Sequence, residues 1–131
     1  MSLHISIIAP DRTVWDANAE EVILPSSTGQ IGILRGHAPL LTALDIGVMR
    51  VRIDKDWIPI VLMGGFAEIQ NDELIILVNS AEEGANIDKD QAQKELEKMT
   101  LLFNEATSSK ERIEATQNLR RARARVQASG A

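Results

Sequence analysis

The sequence predicts an antiparallel β-sandwich followed by a hairpin of two α-helices. Up to about residue 83, short apolar segments alternate with turn residues, which favours a sandwich over a strand–helix–strand fold. Beyond Gly84, apolar residues recur at steps of three and four, the period of a helix. We therefore expect a β domain over residues 1–84 and a helical domain over residues 87–131.

The predicted strands have two kinds of apolar pattern. Residues 3–7 and 49–54 alternate between apolar and polar side chains, as strands with one buried face do. Other segments are continuously apolar, which is expected where a strand is covered on both faces or turns a corner. These continuous segments are 22–24, 31–34, 58–63 and 74–78, and the predicted turns are 26–29, 54–56 and 70–72.

The helical half begins with a capping signal. Asp88 is expected to accept a hydrogen bond from an early helix amide while the Gln91 side chain reaches back to the cap. The sequence Thr107-Ser108-Ser109 interrupts the first helix and offers a second N-cap. Apolar residues form one stripe on each helix: Ala92, Leu96, Met99, Phe103 and Ala106, then Ala115, Leu119, Ala122 and Val126.

Such a hairpin has too little apolar surface to fold alone. Two helices with one stripe each cannot offset the conformational entropy lost on folding. The hairpin must therefore rest on another surface, and a partner of comparable affinity can take its place there. This property is typical of a switch.

Charge is distributed unevenly along the chain. The total is −5, but residues 110–131 contain six basic and two acidic residues, a net +4, which leaves −9 for the rest. A basic tail on an acidic body indicates an acidic partner for the tail. Aromatic residues are 3% of the chain and none lies in the basic run, so nucleic acid is not expected to bind there. The run comprises Arg120, Arg121, Arg123 and Arg125.

Catalytic and metal sites are not predicted. The chain has no cysteine, and its two histidines, His4 and His37, lie far apart without a second ligand at metal spacing. Gly64-Gly65 lacks the Gly-Lys-Ser/Thr ending of a phosphate loop and predicts a sharp strand bend instead. Two acidic pairs lie in polar turns and are expected to be solvated: Asp54 with Asp56, and Glu82 with Glu83.

A direct membrane contact is not predicted either. The first residues lack the basic start and apolar block of a secretion signal. The longest run of low polarity, residues 58–67, is too short to span a bilayer and contains proline and two glycines. Any association with a membrane is expected to go through a partner.

Six stretches together resemble the epsilon subunit of rotary ATP synthases, in particular the chloroplast and cyanobacterial kind. Each stretch is weak alone, but they follow the family's order over nearly the whole chain. They are Pro-Asp-Arg-Thr-Val-Trp (10–15), Gly-Gln-Ile-Gly-Ile-Leu (29–34), Gly-His-Ala-Pro-Leu (36–40), Asp-Ile-Gly (45–47), Met-Gly-Gly-Phe-Ala (63–67) and Leu-Arg-Arg-Ala-Arg (119–123).

The resemblance implies a non-catalytic rotor subunit on the stromal or cytoplasmic side of a thylakoid or plasma membrane. It implies about ten strands, with the sandwich held by the gamma subunit and resting on the membrane rotor ring. The helical arm would fold against the sandwich or extend toward the catalytic alpha and beta subunits, where its arginines would inhibit ATP hydrolysis. The expected contacts with the ring come from a loop at the base of the sandwich, comprising Gln30, Ile31, Gly32, Ile33 and Leu34, together with His37.

In the family that the sequence resembles, members with a folded arm can bind ATP through an Ile-Asp-x-x-Arg-Ala motif that opens the first helix. The corresponding residues of this chain are Ile87, Asp88, Gln91 and Ala92. Gln91 replaces the arginine and cannot offer a phosphate a charged fork, so the motif is degenerate and no cofactor is expected. Two alternatives remain open at this point. A nucleotide-sensing module would bind ATP measurably, and a nucleic-acid adaptor would bind oligonucleotides with a steep salt dependence.

Overall fold

The computed structural model describes residues 2–130, so Met1 and Ala131, the terminal residues of the two predicted domains, lie outside it. Eight strands precede two helices. The strands are β1 (Leu3–Ala9), β2 (Arg12–Ala19), β3 (Glu21–Ser26), β4 (Gly29–Leu34), β5 (Leu40–Ile53), β6 (Asp56–Gln70), β7 (Glu73–Val78) and β8 (Ala81–Glu83). A short 3₁₀ turn (Gly84–Asn86) leads into α1 (Lys89–Glu105) and α2 (Ser109–Ser129).

The strands form one continuous sheet that folds over on itself. Its order is β2-β1-β7-β6-β5-β3-β4, with β8 paired to β6. All pairings are antiparallel except that of β1 with β7. The long strands β5 and β6 run through both layers. The first layer contains β2, β1, β7, residues 65–70 of β6 and residues 40–44 of β5, and the second contains β8, residues 56–63 of β6, residues 46–53 of β5, β3 and β4. Each layer therefore has five strand segments and the sandwich ten. The predicted fold, including about ten strands, is therefore confirmed.

A glycine pair lets β6 pass from one layer to the other. Gly64 and Gly65 have φ angles of 77° and 134°, and the pairing of β5 with β6 skips one position there. A Cβ atom on Gly65 would lie 2.0 Å from the Leu77 carbonyl oxygen of β7. Only glycine fits this approach, which confirms the predicted bend.

Apolar side chains from both layers meet in the sandwich core. Alternate residues of β1, Leu3, Ile5 and Ile7, are fully buried, as predicted, and Leu74 and Ile76 of the neighbouring β7 join them. The opposite faces of the two strands carry polar or partly exposed side chains. The period of two therefore sets which side of each strand faces the core.

The helices begin at the predicted caps. The Asp88 carboxylate accepts a hydrogen bond from the Gln91 amide at 3.0 Å, and the Ser108 hydroxyl accepts one from the Glu111 amide at 3.1 Å. The capping box is only half formed, because within residues 2–130 the Gln91 side chain makes no bond back to the Asp88 amide. At the second helix the Glu111 side chain does reach back, but it accepts from the amide of Thr107, the residue that precedes the Ser108 cap.

We predict that Gly65→Ala destabilises the sandwich by about 2 kcal/mol or more, because its methyl group would collide with backbone at a positive φ. Gly32→Ala is the control, since nothing lies within 4 Å of the added carbon. Its effect should stay within about 0.5 kcal/mol. Urea denaturation measures both free energies of unfolding, and equal effects would contradict this account of the bend.

Candidate functional site

The helical arm, α1 with α2, rests on the outer face of the second layer through small side chains. Ala124 and Ala128 of α2 pack against Val48 of β5 and Val61 of β6, which are register partners. All four are buried. The run 58–63 is thus covered on both faces at this point, as its continuous apolar pattern predicted. We call this contact the arm seat.

Backbone approaches backbone beside the arm seat. A Cβ atom on Gly84 would lie 2.6 Å from the Ala128 carbonyl oxygen and 2.9 Å from the Pro59 side chain. Glycine at this position therefore lets the end of α2 settle directly on the start of the connecting turn. The arm seat therefore requires a residue without a side chain at position 84 as well as the small side chains of α2.

Within the part of the chain that the structure describes, one ion pair joins the arm to the sandwich. Arg125 Nε donates to Glu82 Oε2 at 2.9 Å, and Arg125 Nη2 donates to Glu82 Oε1 at 3.1 Å. Both side chains are partly buried. The bond to Glu82 raises the pKa of Arg125 above its already high ordinary value, so the guanidinium stays charged. The expectation that Glu82 is merely solvated is wrong.

The other three arginines of the basic run remain exposed. Arg120, Arg121 and Arg123 form no ion pair within residues 2–130. Arg120 and Arg123 line a shallow groove of about 240 Å³ between α2 and the Asp45–Gly47 segment of β5. The run therefore divides into one arginine held internally and three available to a partner.

The residues of the degenerate ATP motif have structural roles. Ile87 and Ala92 are buried in the same apolar cluster as the arm seat, and Asp88 caps α1. Gln91 is exposed. The packing thus accounts for Ile87, Asp88 and Ala92 without a nucleotide.

The segment expected to be a loop at the rotor ring is a strand. Residues 29–34 form β4, which lies at an edge of the sheet. Ile33 is 1% exposed and belongs to the core, so the interpretation of this segment as an exposed loop is wrong. The period of two places Gln30, Gly32 and Leu34 outward and turns Ile31 toward the core.

His37 lies in the loop that follows β4. Its Nδ1 donates to the Ala38 carbonyl oxygen at 2.6 Å. Gly36 in the same loop donates its amide hydrogen to the Asp72 carboxylate at 2.7 Å, which ties the loop to the β6–β7 turn. The loop is therefore held to the sandwich by hydrogen bonds, and His37 helps to fix its own segment.

The first layer has an apolar outer face that the sequence analysis did not identify. Ile8, Leu77, Phe66 and Ala43 lie side by side across β1, β7, β6 and β5. Phe66 is 57% and Leu77 53% exposed, and the row borders a hollow of about 690 Å³. We call these four residues the outer apolar row. A contiguous apolar patch of this kind marks an interaction surface.

His4 lies between two carboxylates on the same outer face. Its Nδ1 donates to Glu73 Oε2 and its Nε2 to Asp16 Oδ1, both at 2.8 Å, and Ser6 also donates to Asp16. Since ionised carboxylates only accept, the ring makes both hydrogen bonds when both of its nitrogens carry protons, which is the imidazolium form. The bond to Glu73, and then that to Asp16, raises the pKa of His4. The bond from His4 lowers the pKa of Asp16.

Comparison with protein families matches both halves of the chain. The ATP synthase delta/epsilon chain β-sandwich domain matches residues 2–84, and the long α-helix domain of the same chain matches residues 85–130. The chain belongs to the ATP synthase delta/epsilon chain family. The resemblance found from the sequence is thereby confirmed.

Several relatives in this family align over nearly their full length. The ATP synthase epsilon chain, chloroplastic, of Guillardia theta is 81% identical over all of both chains. That of Porphyra purpurea is 72% identical over all of this chain and 98% of its own. The ATP synthase epsilon chain of Cyanothece sp. (strain PCC 7425 / ATCC 29141) is 59% identical over 99% and 96%. Both chloroplast and cyanobacterial sequences are thus among the relatives, as the resemblance implied.

The delta/epsilon fold recurs in solved assemblies. A chain in the Euglena gracilis mitochondrial ATP synthase structure, titled OSCP/F1/c-ring in rotational state 1, superposes with a TM-score of 0.85. The match covers 99% of this chain and 82% of that one at 19% identity. A chain from the Tetrahymena thermophila central stalk/c-ring structure gives 0.64 at 12% identity over 98% and 97%. At these identities the superpositions establish the fold.

Two kinds of feature are absent from the described residues. Within residues 2–130 no three histidine, cysteine or acidic side chains are grouped to hold a metal. In the same part of the chain, neither helix combines the length and apolar character needed to cross a bilayer. The features of this family member that stand out are instead the outer apolar row and the three exposed arginines of the basic run.

We predict that His4 stabilises the fold in a proton-dependent way. Because its folded-state pKa is raised, the contribution is fully present below the unfolded value of about 6.5 and is lost as the pH rises through the folded value. The contribution of ionised Asp16 runs the other way and is lost as acid protonates it. The stability advantage of wild type over His4→Gln should therefore be larger near about pH 6 than near about pH 9.

NMR titration of the His4 ring provides the direct measurement. The Asp16→Asn/Glu73→Gln double variant is the control, because it keeps the imidazole and removes both acceptors. Its His4 pKa should fall relative to wild type. An equal pKa in the two proteins would show that the carboxylates do not hold the proton.

Proposed function

We propose that this chain is a non-catalytic central-stalk subunit of a proton-driven ATP synthase. In this role the sandwich links the gamma subunit to the membrane rotor ring, and the arm inhibits ATP hydrolysis by the alpha and beta subunits. Two features of this family member carry the proposal together. The outer apolar row is exposed, and the arm with its basic run rests on the sandwich through a small contact. The chain then works on the cytoplasmic or stromal side of a thylakoid or plasma membrane, without inserting into it.

The outer apolar row is the proposed docking site for gamma. It lies on the first layer, whereas the arm covers the second, so gamma can bind without displacing the arm. Asp16, Glu68 and Glu73 lie on the same face beyond the row and favour a partner surface with apolar residues surrounded by basic ones.

Contact with the rotor ring is proposed for the edge strand β4 and the loop that follows it. Gln30, Gly32 and Leu34 face outward, and an edge strand offers unpaired backbone groups to a partner. Ile31 and Ile33 act indirectly by anchoring the strand to the core. His37 holds the adjacent loop in shape.

Inhibition is proposed to act through the basic run of α2. Arg120, Arg121 and Arg123 are exposed with the arm folded, and Arg125 joins them once the arm leaves Glu82. Their partners would be acidic side chains on the catalytic subunits. A single exposed pair contributes only about 0.2 to 1 kcal/mol, so several must act together.

ATP itself is not a proposed ligand of the folded arm. Gln91 supplies no positive charge, and its neighbours in the motif are committed to capping and packing. Nucleic acid is likewise not a proposed partner, because the basic run of this chain includes no aromatic residue on which a base could stack.

We predict that truncation after Gly84 raises ATP hydrolysis by the assembled complex while leaving assembly intact. The Arg120→Gln/Arg121→Gln/Arg123→Gln variant should reproduce much of this activation with the arm still seated, because Arg125 and Glu82 are unchanged. Higher ionic strength should weaken inhibition more in wild type than in this variant, since salt screens exposed charges. Hydrolysis rates of purified complexes measure all three effects.

The Lys89→Gln/Lys94→Gln/Lys98→Gln variant is the matched control, because it removes the same charge from exposed positions of α1. It should leave inhibition nearly unchanged. Equal activation by both triple variants would show that inhibition depends on the net charge of the arm and not on these three arginines. Activation by truncation alone would show that the arm acts through apolar packing.

We further predict that Phe66→Ser and Leu77→Ser each weaken binding to the gamma subunit about tenfold or more, because central apolar anchors dominate interfaces. Since both side chains are already exposed, stability of the isolated chain should change by at most about 0.5 kcal/mol. Leu101→Ser removes an equally exposed apolar side chain from the arm and should leave this affinity unchanged. Calorimetric titration with purified gamma subunit measures these affinities. An unchanged affinity in both Phe66→Ser and Leu77→Ser would exclude the outer apolar row as the docking site for gamma.

A further inference from the structure

Glu82 and Arg125 form a forked ion pair between the arm and the sandwich. This two-bond arrangement is a strong form of arginine–carboxylate contact. Two nitrogens of one guanidinium donate to the two oxygens of one carboxylate, at 2.9 and 3.1 Å. Such a forked pair fixes the direction as well as the distance between its partners. Partial burial reduces the screening of the pair by water.

The pair lies where it can control the position of the arm. Glu82 belongs to the short strand β8, which ends just before the connection to α1, and Arg125 lies in the last part of α2. The other ion pairs of residues 2–130, His4 with Asp16 or Glu73 and Arg52 with Glu21, lie within the sandwich. Within the same described residues, the Arg125–Glu82 pair is therefore the one charge contact that moving the arm must break.

Apolar packing alone holds the arm only weakly. The residues of α2 in the seat are chiefly alanines, which bury one methyl group each. The Arg125–Glu82 pair therefore contributes a large share of the free energy that favours the folded arm over a released one. Losing the Glu82 carboxylate would also leave a partly buried cation without a partner.

We propose that the Arg125–Glu82 pair is a latch that holds the arm on the sandwich, and that an acidic segment of a partner protein releases the arm by replacing Glu82 as the acceptor for Arg125. One carboxylate exchanges for another, so the two arm positions differ little in energy and the equilibrium responds to the partner. The second half of this proposal rests on the proposed inhibitory function. The latch itself is a property of the isolated chain.

The latch assigns different roles to the four arginines. Arg120, Arg121 and Arg123 are free in the folded state and make the first contact with an acidic surface. Arg125 becomes available only after it leaves Glu82. Substitution of Glu82 therefore frees the arm without changing any group that the partner would bind, whereas substitution of Arg125 removes both the latch and one of those groups.

A buried thiol measures release of the arm. The natural chain has no cysteine, so Val61→Cys places a single thiol under the arm seat, where the native side chain is fully buried. In this background Glu82→Gln and Arg125→Gln should each raise the rate of thiol labelling about fivefold to tenfold, and a tenfold change corresponds to about 1.4 kcal/mol. The double variant should label no faster than the faster single variant, because both remove the same interaction.

Two neighbouring substitutions and a second thiol serve as controls. Glu83→Gln and Arg121→Gln remove the same charges beside the latch and should stay within about twofold of the parent. In a Val22→Cys background the thiol lies between the two layers, and its labelling should not respond to any of these substitutions. Rates within twofold of the parent for Glu82→Gln and Arg125→Gln would overturn the latch. Equal acceleration at Val22→Cys would also overturn it, since global unfolding would then be the cause.

The assembled complex separates the latch from the proposed inhibition. Glu82→Gln should strengthen inhibition of ATP hydrolysis, since the arm is released with its arginines complete, and Arg125→Gln should strengthen it less. Faster thiol labelling without any change in hydrolysis would support the latch and contradict the inhibitory function. Unchanged labelling together with activation on truncation would contradict the latch alone.

Discussion

The thin contact between the arm and the sandwich is the constraint on which the rest of this structure depends. Ala124 and Ala128 bury methyl groups worth about 0.8 kcal/mol each, and the Arg125–Glu82 pair adds an amount of similar order. The arm buries too little apolar surface to fold alone and needs the sandwich to pack on. The contact is also weak enough for a partner surface to replace it. A hairpin with larger apolar residues at these positions would be fixed, and one without the ion pair would be loosely held.

The sandwich provides a surface for this contact because two of its strands serve both layers. Gly64 and Gly65 turn β6 so that one half closes the first layer and the other half supports the arm. Val61, in the half that precedes the bend, is covered by α2 on one side, while its neighbours Ile60 and Leu62 face the core on the other. The bend therefore separates the face left for a partner, with Phe66 at its centre, from the face taken by the arm.

Local pattern predicted the elements of this fold well and their contacts less well. The continuous apolar run 58–63 correctly indicated a strand covered on both faces. Ile33 was misplaced because the resemblance, rather than the apolar pattern, put residues 30–34 in a loop. The continuous apolar run 31–34 had indicated a strand, and a strand forms there. The seat alanines Ala124 and Ala128 escaped notice, since small residues carry little signal beside a run of arginines. Glu82 resembled a solvated turn residue because its partner lies 43 positions away in the chain.

Hydrogen exchange of the isolated chain tests the separability of arm and sandwich most directly. The amides of α2 near Ala124 and Arg125 should exchange through an opening several kcal/mol lower in free energy than that of the amides in β1 and β7. That opening should also depend less on denaturant, because it exposes only the seat. Exchange of α2 at the same free energy and with the same denaturant dependence as the sandwich core would show one cooperative unit and would contradict a releasable arm.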